Sequence, residues 1–389
     1  SSEDEMPVLK LGDRRELLGV LTNGFHLTAR IDEPGQFEPS PDLTQIEDFL
    51  EQHRERDVPP GWADWRTDIL RTYQMARNRF GAASFPLELQ DLYVSVYNVT
   101  GLSRDNAEKF AGMLLWRSSN NMRRLFEELS ESPLMHIDEV EVPWPALRLV
   151  LSRVLPQGMD EPRRSLSTGN FGDQSWRDYG LAKGGGPARI EAGASNPNVL
   201  SGFSIHAFAS ELRIPLRIEC LRDKSQQLFE KYDLVDFPGS QKHPDRYSEE
   251  SLLNSNAKLN LIERGRIDYS FMNHGARRPL DVLVLLQQYG ASADTVMISQ
   301  LLDRWLAFWK GPEGKKLTGI TPNLFAGISF FDMILKVLDA AGPHDIERFF
   351  IQNWLTNFPE WIRPGIGNGN PVKNLSWLAM TTKPIGEDY

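Results

Sequence analysis

The sequence predicts an α/β protein in which a domain built on a three-layer parallel sheet follows a largely helical N-terminal portion. Three observations lead there. Residues 43–54, 62–80, 103–116 and 120–129 carry apolar side chains at helical spacing. Between 156 and 197 the composition shifts to Gly, Ser, Asn, Pro and Arg, as in a connecting segment. From 204 onward, short apolar runs alternate with helix-length segments, the pattern of parallel strands joined through helices. The expected organisation is a mainly helical region over 1–155, a Gly/Pro/Ser-rich connection over 156–200 and an α/β domain over 201–389.

Composition narrows the function classes. With 389 residues, 40% of them hydrophobic, the chain can fill substantial cores. Its net charge of −10 argues against a general nucleic-acid binder, because no basic stripe is present to neutralise phosphates. The single cysteine, Cys220, excludes an internal disulfide and a cysteine zinc site, and it lies in an apolar run where a buried, inert thiol is expected. No run of 18 apolar residues predicts a membrane span, and the first residues, Ser1 to Glu5, lack the basic and apolar regions of a signal peptide. A cytoplasmic protein is expected, or one exported without such a signal. Because the chain starts at Ser1 and not at Met, it is expected to have lost its first residues or to be a piece of something longer.

Taken in order, 8–21 reads as a strand and a helix start, and Asp32-Glu-Pro-Gly35 and Pro39-Ser-Pro41 interrupt the chain before a helix over 43–54 that Pro59-Pro60 ends. The next helix, 62–80, repeats Trp62, Trp65, Ile69, Leu70, Tyr73 and Met75 to Ala76 at helical spacing, so the two tryptophans are expected in the core or an interface. Residues 87–97 fit strand or helix. Ser103 is placed to cap a helix to 116, another helix covers 120–129 before Pro133, and Pro145 starts one over 145–154. Lys183-Gly-Gly-Gly186 does not form a phosphate loop, and Gly-x-x-x-x-Gly-Lys-Ser/Thr occurs nowhere in the 389 residues. Strands are then expected at 212–221, 228–235, 280–286 and 324–331, with helices at 254–272, 295–309, 331–341 and 345–358.

Most chemical motifs fail on spacing. The seven histidines contain no i, i+4 pair with a Glu, so no transition metal is expected. Gly202-Phe-Ser204-Ile-His206 has a His where a nucleophile elbow closes on Gly. Adjacent Glu249 and Glu250 diverge on a helix and make no glycosidase dyad. Trp305 and Trp309 lie one turn apart, as residues packing a helix on a sheet do. No residue is assigned a catalytic role.

The stretch Tyr232 to Gly239 is different. A short apolar run stops on Asp236-Phe-Pro-Gly239, where an Asp at a strand end can hold magnesium and a Gly can turn its N–H toward a terminal phosphate. Read with Leu114-Leu-Trp116-Arg, Glu211-Leu-Arg-Ile-Pro-Leu216, Leu234-Val-Asp-Phe-Pro-Gly-Ser240, Arg264-Gly-Arg-Ile-Asp-Tyr269, Phe331-Asp-Met333 and Asn374-Leu-Ser-Trp377, the chain over about 100–380 resembles the SrfC family of bacterial virulence factors, which carry a divergent P-loop GTPase domain. The resemblance implies a P-loop GTPase-like α/β fold. It also implies that Asp236 is a magnesium ligand, that Gly239 contacts the γ-phosphate of GTP, and that Asp332, in Ile328-Ser-Phe-Phe-Asp332, reads the base. Two features depart from the pattern: Phe330 stands where the base-reading motif has Lys, and the Walker A loop is missing from the chain.

Two functions follow as expectations. In the first, the degenerate GTPase-like domain acts through protein partners and turns over no nucleotide. In the second, GTP hydrolysis proceeds with magnesium and a P-loop supplied by a segment outside this chain. The first is expected of the isolated chain.

Overall fold

The computed structural model describes residues 6–144, 179–182, 188–192, 205, 207–215, 246–277, 282–288 and 323–329. These residues fall into two compact units, the first running in chain order to Met272 and the second starting at Asn273.

The first unit opens with strand β1, Val8–Leu11, whose Leu9 and Leu11 alternate into the core. The Asp13 side chain then accepts the Glu16 backbone N–H at 2.9 Å and starts helix α1, Arg14–Thr28. Helix α1 is the centre of the unit: Leu17, Leu18, Val20, Leu21 and Phe25 are all fully buried, so neighbours cover it on several sides. Helix α2, Leu43–Gln52, begins in a reciprocal capping box between Asp42 and Gln45. Helix α3, Trp62–Phe80, is bracketed by Gly61 (φ 78°) and Gly81 (φ 82°), both in the left-handed region that glycine enters without a Cβ penalty. Trp62 and Trp65 face inward at 2% and 6% exposure, in agreement with the core role expected from their spacing.

Helix α4, Leu89–Tyr97, settles the stretch that the sequence left open. Leu92 and Val96 are buried one turn apart, whereas a half-buried strand would have sent alternate residues inward. Helix α5, Arg104–Trp116, starts after Ser103 as expected, although the Ser103 hydroxyl makes no capping bond. Arg117 and Ser118, with φ of 47° and 57°, turn the chain directly into helix α6, Asn120–Ser130. The long helix α7, Ser255–Arg277, returns to pack within the same unit through most of its length.

Four short strands join β1 in one mixed sheet: β2 (Glu139–Glu141), β3 (Tyr179–Ala182), β4 (Ala188–Ala192) and β5 (Ala209–Arg213). The order is β3-β4-β2-β1-β5, and only the β2–β4 pair is parallel. Here the expected architecture is corrected. The strand anticipated at 212–221 begins at Ala209 and pairs antiparallel with β1, Leu9 opposite Leu212. The reason is its polarity: Glu211 and Arg213 alternate outward, which suits a strand solvated on one face and does not suit one buried between helix layers.

In the second unit, strands β6 (Val282–Gln288) and β7 (Asn323–Ser329) pair parallel, from Val282 opposite Asn323 to Gln288 opposite Ser329. Their near-continuous apolar sequences are the runs from which parallel strands were expected. Among the described residues parallel pairing is confined to this pair, the short β2–β4 contact and a single bridge between Ala29 and Tyr247, and a P-loop GTPase fold is not seen. The elements expected at 145–154, 228–235, 295–309, 331–341 and 345–358 lie outside the described residues. No helix among the described residues is long and apolar enough to cross a membrane.

Candidate functional site

Asp236, Gly239 and Asp332, the magnesium, phosphate and base contacts implied by the resemblance, lie outside the described residues. The carboxyl ends of β6 and β7 lie side by side, Gln288 opposite Ser329, and Asp332 follows three positions later in the sequence. Among the described residues no group of three or more His, Cys, Asp or Glu side chains is arranged to hold a metal ion.

Several charged groups drawn inward in the first unit fasten one helix to another. Arg14 on α1 donates to Asp68 on α3 from Nε at 3.0 Å and Nη2 at 2.7 Å, and its guanidinium lies 4.4 Å from the Trp65 ring centroid. Burial pushes the Asp68 carboxyl up from its ordinary range, with Arg14 pulling it back. Arg79 on α3 holds both oxygens of Asp268 on α7, at 3.1 and 2.9 Å. Arg266 on α7 pairs with Glu16 on α1 and donates to the Ala207 carbonyl. Elsewhere Glu249 sits at the N-terminus of α6, accepting from the Ser119 hydroxyl at 2.6 Å and the Asn121 N–H at 3.0 Å. That carboxylate occupies the positive end of the helix from within the chain.

His26 is the one strongly shifted histidine among the described residues. Its Nε2–H donates to the Leu115 carbonyl at 3.0 Å, Phe80 and Phe85 lie against the ring at 5.1 and 4.6 Å, and Nδ1 has neither a partner nor access to water. Burial lowers its pKa to about 4 against the ordinary 6.5; the Leu115 bond opposes this and Arg117 reinforces it. The folded value lies below the unfolded one, so the neutral ring contributes stability that is complete above pH 6.5 and lost as pH falls toward 4. His26 as a residue is half-buried, and the loss amounts to about 2 kcal/mol. Denaturant titrations at several pH values should show this slope in the native chain, and His26→Asn should flatten it.

Among the described residues, one exposed apolar surface lies on α4. Val94 and Tyr97, one turn apart, are 55% and 51% exposed. Tyr97 is nevertheless held in place: the Tyr93 ring stacks on it at 6.0 Å and 15°, and the Arg66 guanidinium of α3 lies 3.8 Å from its centroid. On the opposite flank, the Ser95 hydroxyl donates to Glu47 of α2 at 3.0 Å, which draws the α2 face that also carries exposed Asp48 and Glu51 alongside the ridge. Exposed Asp91 lies one position N-terminal to buried Leu92 on α4 itself. The sequence reading missed this ridge because it left 87–97 undecided between strand and helix. The i, i+3 spacing of Val94 and Tyr97 opposite Leu92 and Val96 is the signal that could have found it.

Comparison with known proteins agrees with the coarsest part of the resemblance. Residues 180–357 match a protein family described as "Putative bacterial virulence factor". That span is under half of the chain and takes in β4, β5, α7, β6 and β7. The chain has no match among curated proteins or among solved structures.

Proposed function

We propose that this chain is a virulence-associated protein that works through protein partners, with a GTPase-like domain that turns over no nucleotide of its own. The observation that carries the reading is the division of labour among the side chains of the first unit. Arg14, Asp68, Arg79, Asp268, Arg266, Glu16 and Glu249 are spent on internal cross-links, while an aromatic ridge held by Arg66 and Tyr93 faces water on α4. An ordered aromatic at a surface is the feature that recurs at the centres of protein interfaces.

A second reading rests on the β6–β7 pair. In open parallel sheets, ligands bind outside the carboxyl ends of the strands, and Asp332 follows that end of β7. In this reading Asp236 holds magnesium, the Gly239 N–H faces the γ-phosphate and Asp332 accepts hydrogen bonds from the guanine ring, the P-loop coming from a segment outside the chain.

Titration of the chain with a fluorescent GTP analogue and magnesium separates the two. The partner-binding reading expects no saturable signal at micromolar protein. Micromolar binding that disappears in Asp236→Ala and Asp332→Ala would replace it with the second.

A further inference from the structure

We infer that the α4 ridge is the docking site for a basic amphipathic helix of a partner protein, an assignment that rests on the partner-binding reading above. Val94 and Tyr97 supply the apolar centre, and their spacing of one helical turn is the spacing at which a second helix lays its own apolar stripe. The ring is ordered before any partner arrives, because Tyr93 stacks on one neighbour position and Arg66 sits 3.8 Å from the ring centroid. Little side-chain entropy is then lost on binding.

Charge decides the sign of the partner. Glu47 bonds to Ser95, the residue next to Val94, so the acidic α2 face borders the apolar centre. Exposed Asp48 extends that border, while Glu51 is paired with Arg54 at 3.3 Å. Arg66 keeps its charge on the Tyr97 ring, but Glu47, Asp48 and Asp91, none of them in an ion pair among the described residues, outnumber it. A partner with an acidic flank would meet like charge, whereas lysines or arginines beside an apolar stripe would be steered in and fixed in register. The whole chain, at −10, favours the same sign of partner at long range.

The test uses the full chain and two fluorescein-labelled helical peptides of one pattern, Leu/Lys and Leu/Glu, read by polarisation at low and high salt. The Leu/Lys peptide should bind saturably and lose affinity in salt, while the Leu/Glu peptide should not bind. Val94→Asp with Tyr97→Ala should weaken binding by roughly tenfold or more, as loss of an interface centre does. Glu47→Lys with Glu51→Lys should weaken it to a similar degree, about tenfold, by removing the charge match. Glu131→Lys with Asp138→Lys makes the same charge change at exposed sites on α6's end and before β2, and should leave affinity unaltered. Thermal melts by circular dichroism check the fold of each variant. If the α4 pair unfolds the chain, the Glu47/Glu51 variant decides.

Equal loss in both charge-reversal variants would mean nonspecific attraction and overturn the assignment, as would equal binding of the two peptides. Concentration-dependent self-association abolished by Tyr97→Ala would overturn it in favour of an interface between copies. Failure here is distinct from failure of the broader reading. Absent peptide binding with absent nucleotide binding removes only the docking site, whereas nucleotide turnover by this chain removes the partner-binding reading itself.

Discussion

Gly265→Val should leave the first unit unable to fold to its native packing, and Gly265→Ala should already cost several kcal/mol. Helices α1 and α7 cross with backbone against backbone. A Cβ on Gly265 would stand 1.9 Å from the Val20 carbonyl oxygen and 2.8 Å from the Gly24 nitrogen. From the other side, a Cβ on Gly24 would stand 2.1 Å from the Leu261 carbonyl oxygen. These atoms belong to helical backbone, so relief requires the helices to separate along the whole contact. Overpacking that side chains can absorb costs about 1–3 kcal/mol. Here separation also pulls Arg266, the next residue, away from Glu16, so the penalties add. Gly19 is the control. Its Cβ would meet the Tyr269 ring at 2.2 Å, and a ring can turn aside, so Gly19→Ala should be the mildest of the three. Urea denaturation followed by circular dichroism should rank Gly19→Ala, Gly24→Ala and Gly265→Val in increasing order of damage. A Gly265→Ala variant within about 1 kcal/mol of the native chain would contradict the close crossing, since typical domains have only about 5–15 kcal/mol in total.

The helices of the first unit were legible because their information is local. Residues 62–80 form a helix with those bounds because the apolar face recurs every turn and Gly61 and Gly81 punctuate both ends. The capping residues at Asp42 and Ser119 likewise sit within three positions of the groups they satisfy. Residues 89–97 were not legible, since Val94, Val96 and Tyr97 suit either a strand or a helix, and packing against α2 decided it. The sheet was misread for a related reason. A run of five residues such as Ala209–Arg213 carries no mark of its partner, and β1, some two hundred positions earlier, claimed it.

The candidate site divides in the same way. A motif such as Asp236-Phe-Pro-Gly239 is visible in four residues, and the parallel pair β6–β7 was visible as two apolar runs. The ion pairs were invisible. Arg79 and Asp268 are 189 positions apart, and a charged residue on an amphipathic helix reads as a solvated one until another helix covers it. The α4 ridge was hidden for the opposite reason, because an exposed Tyr or Val in a sequence reads as core.

Glu16→Ala should destabilise the first unit by about 3–5 kcal/mol, far more than the 0–1 kcal/mol of a surface ion pair. Three arginine–carboxylate pairs close a triangle of helices: Arg14–Asp68 joins α1 to α3, Arg79–Asp268 joins α3 to α7, and Arg266–Glu16 joins α7 to α1. The last pair is sheltered, with side chains 13% and 17% exposed. Burial pulls the Arg266 guanidinium below its ordinary range, with Glu16 acting against that pull, so the charge stays because its counter-charge is there. Without Glu16 the guanidinium keeps its bond to the Ala207 carbonyl and loses its neutralising partner. The cost is therefore mainly that of a stranded charge, and removing the charge as well should recover most of it. Glu16→Ala with Arg266→Met, an apolar stem of similar length, should lie within about 1–2 kcal/mol of the native chain. A double-mutant cycle in denaturant measures the coupling directly. If Glu16→Ala costs under about 1 kcal/mol, or if the double variant is as unstable as the sum of its parts, the pair is solvated and the triangle does not hold α7 to α1.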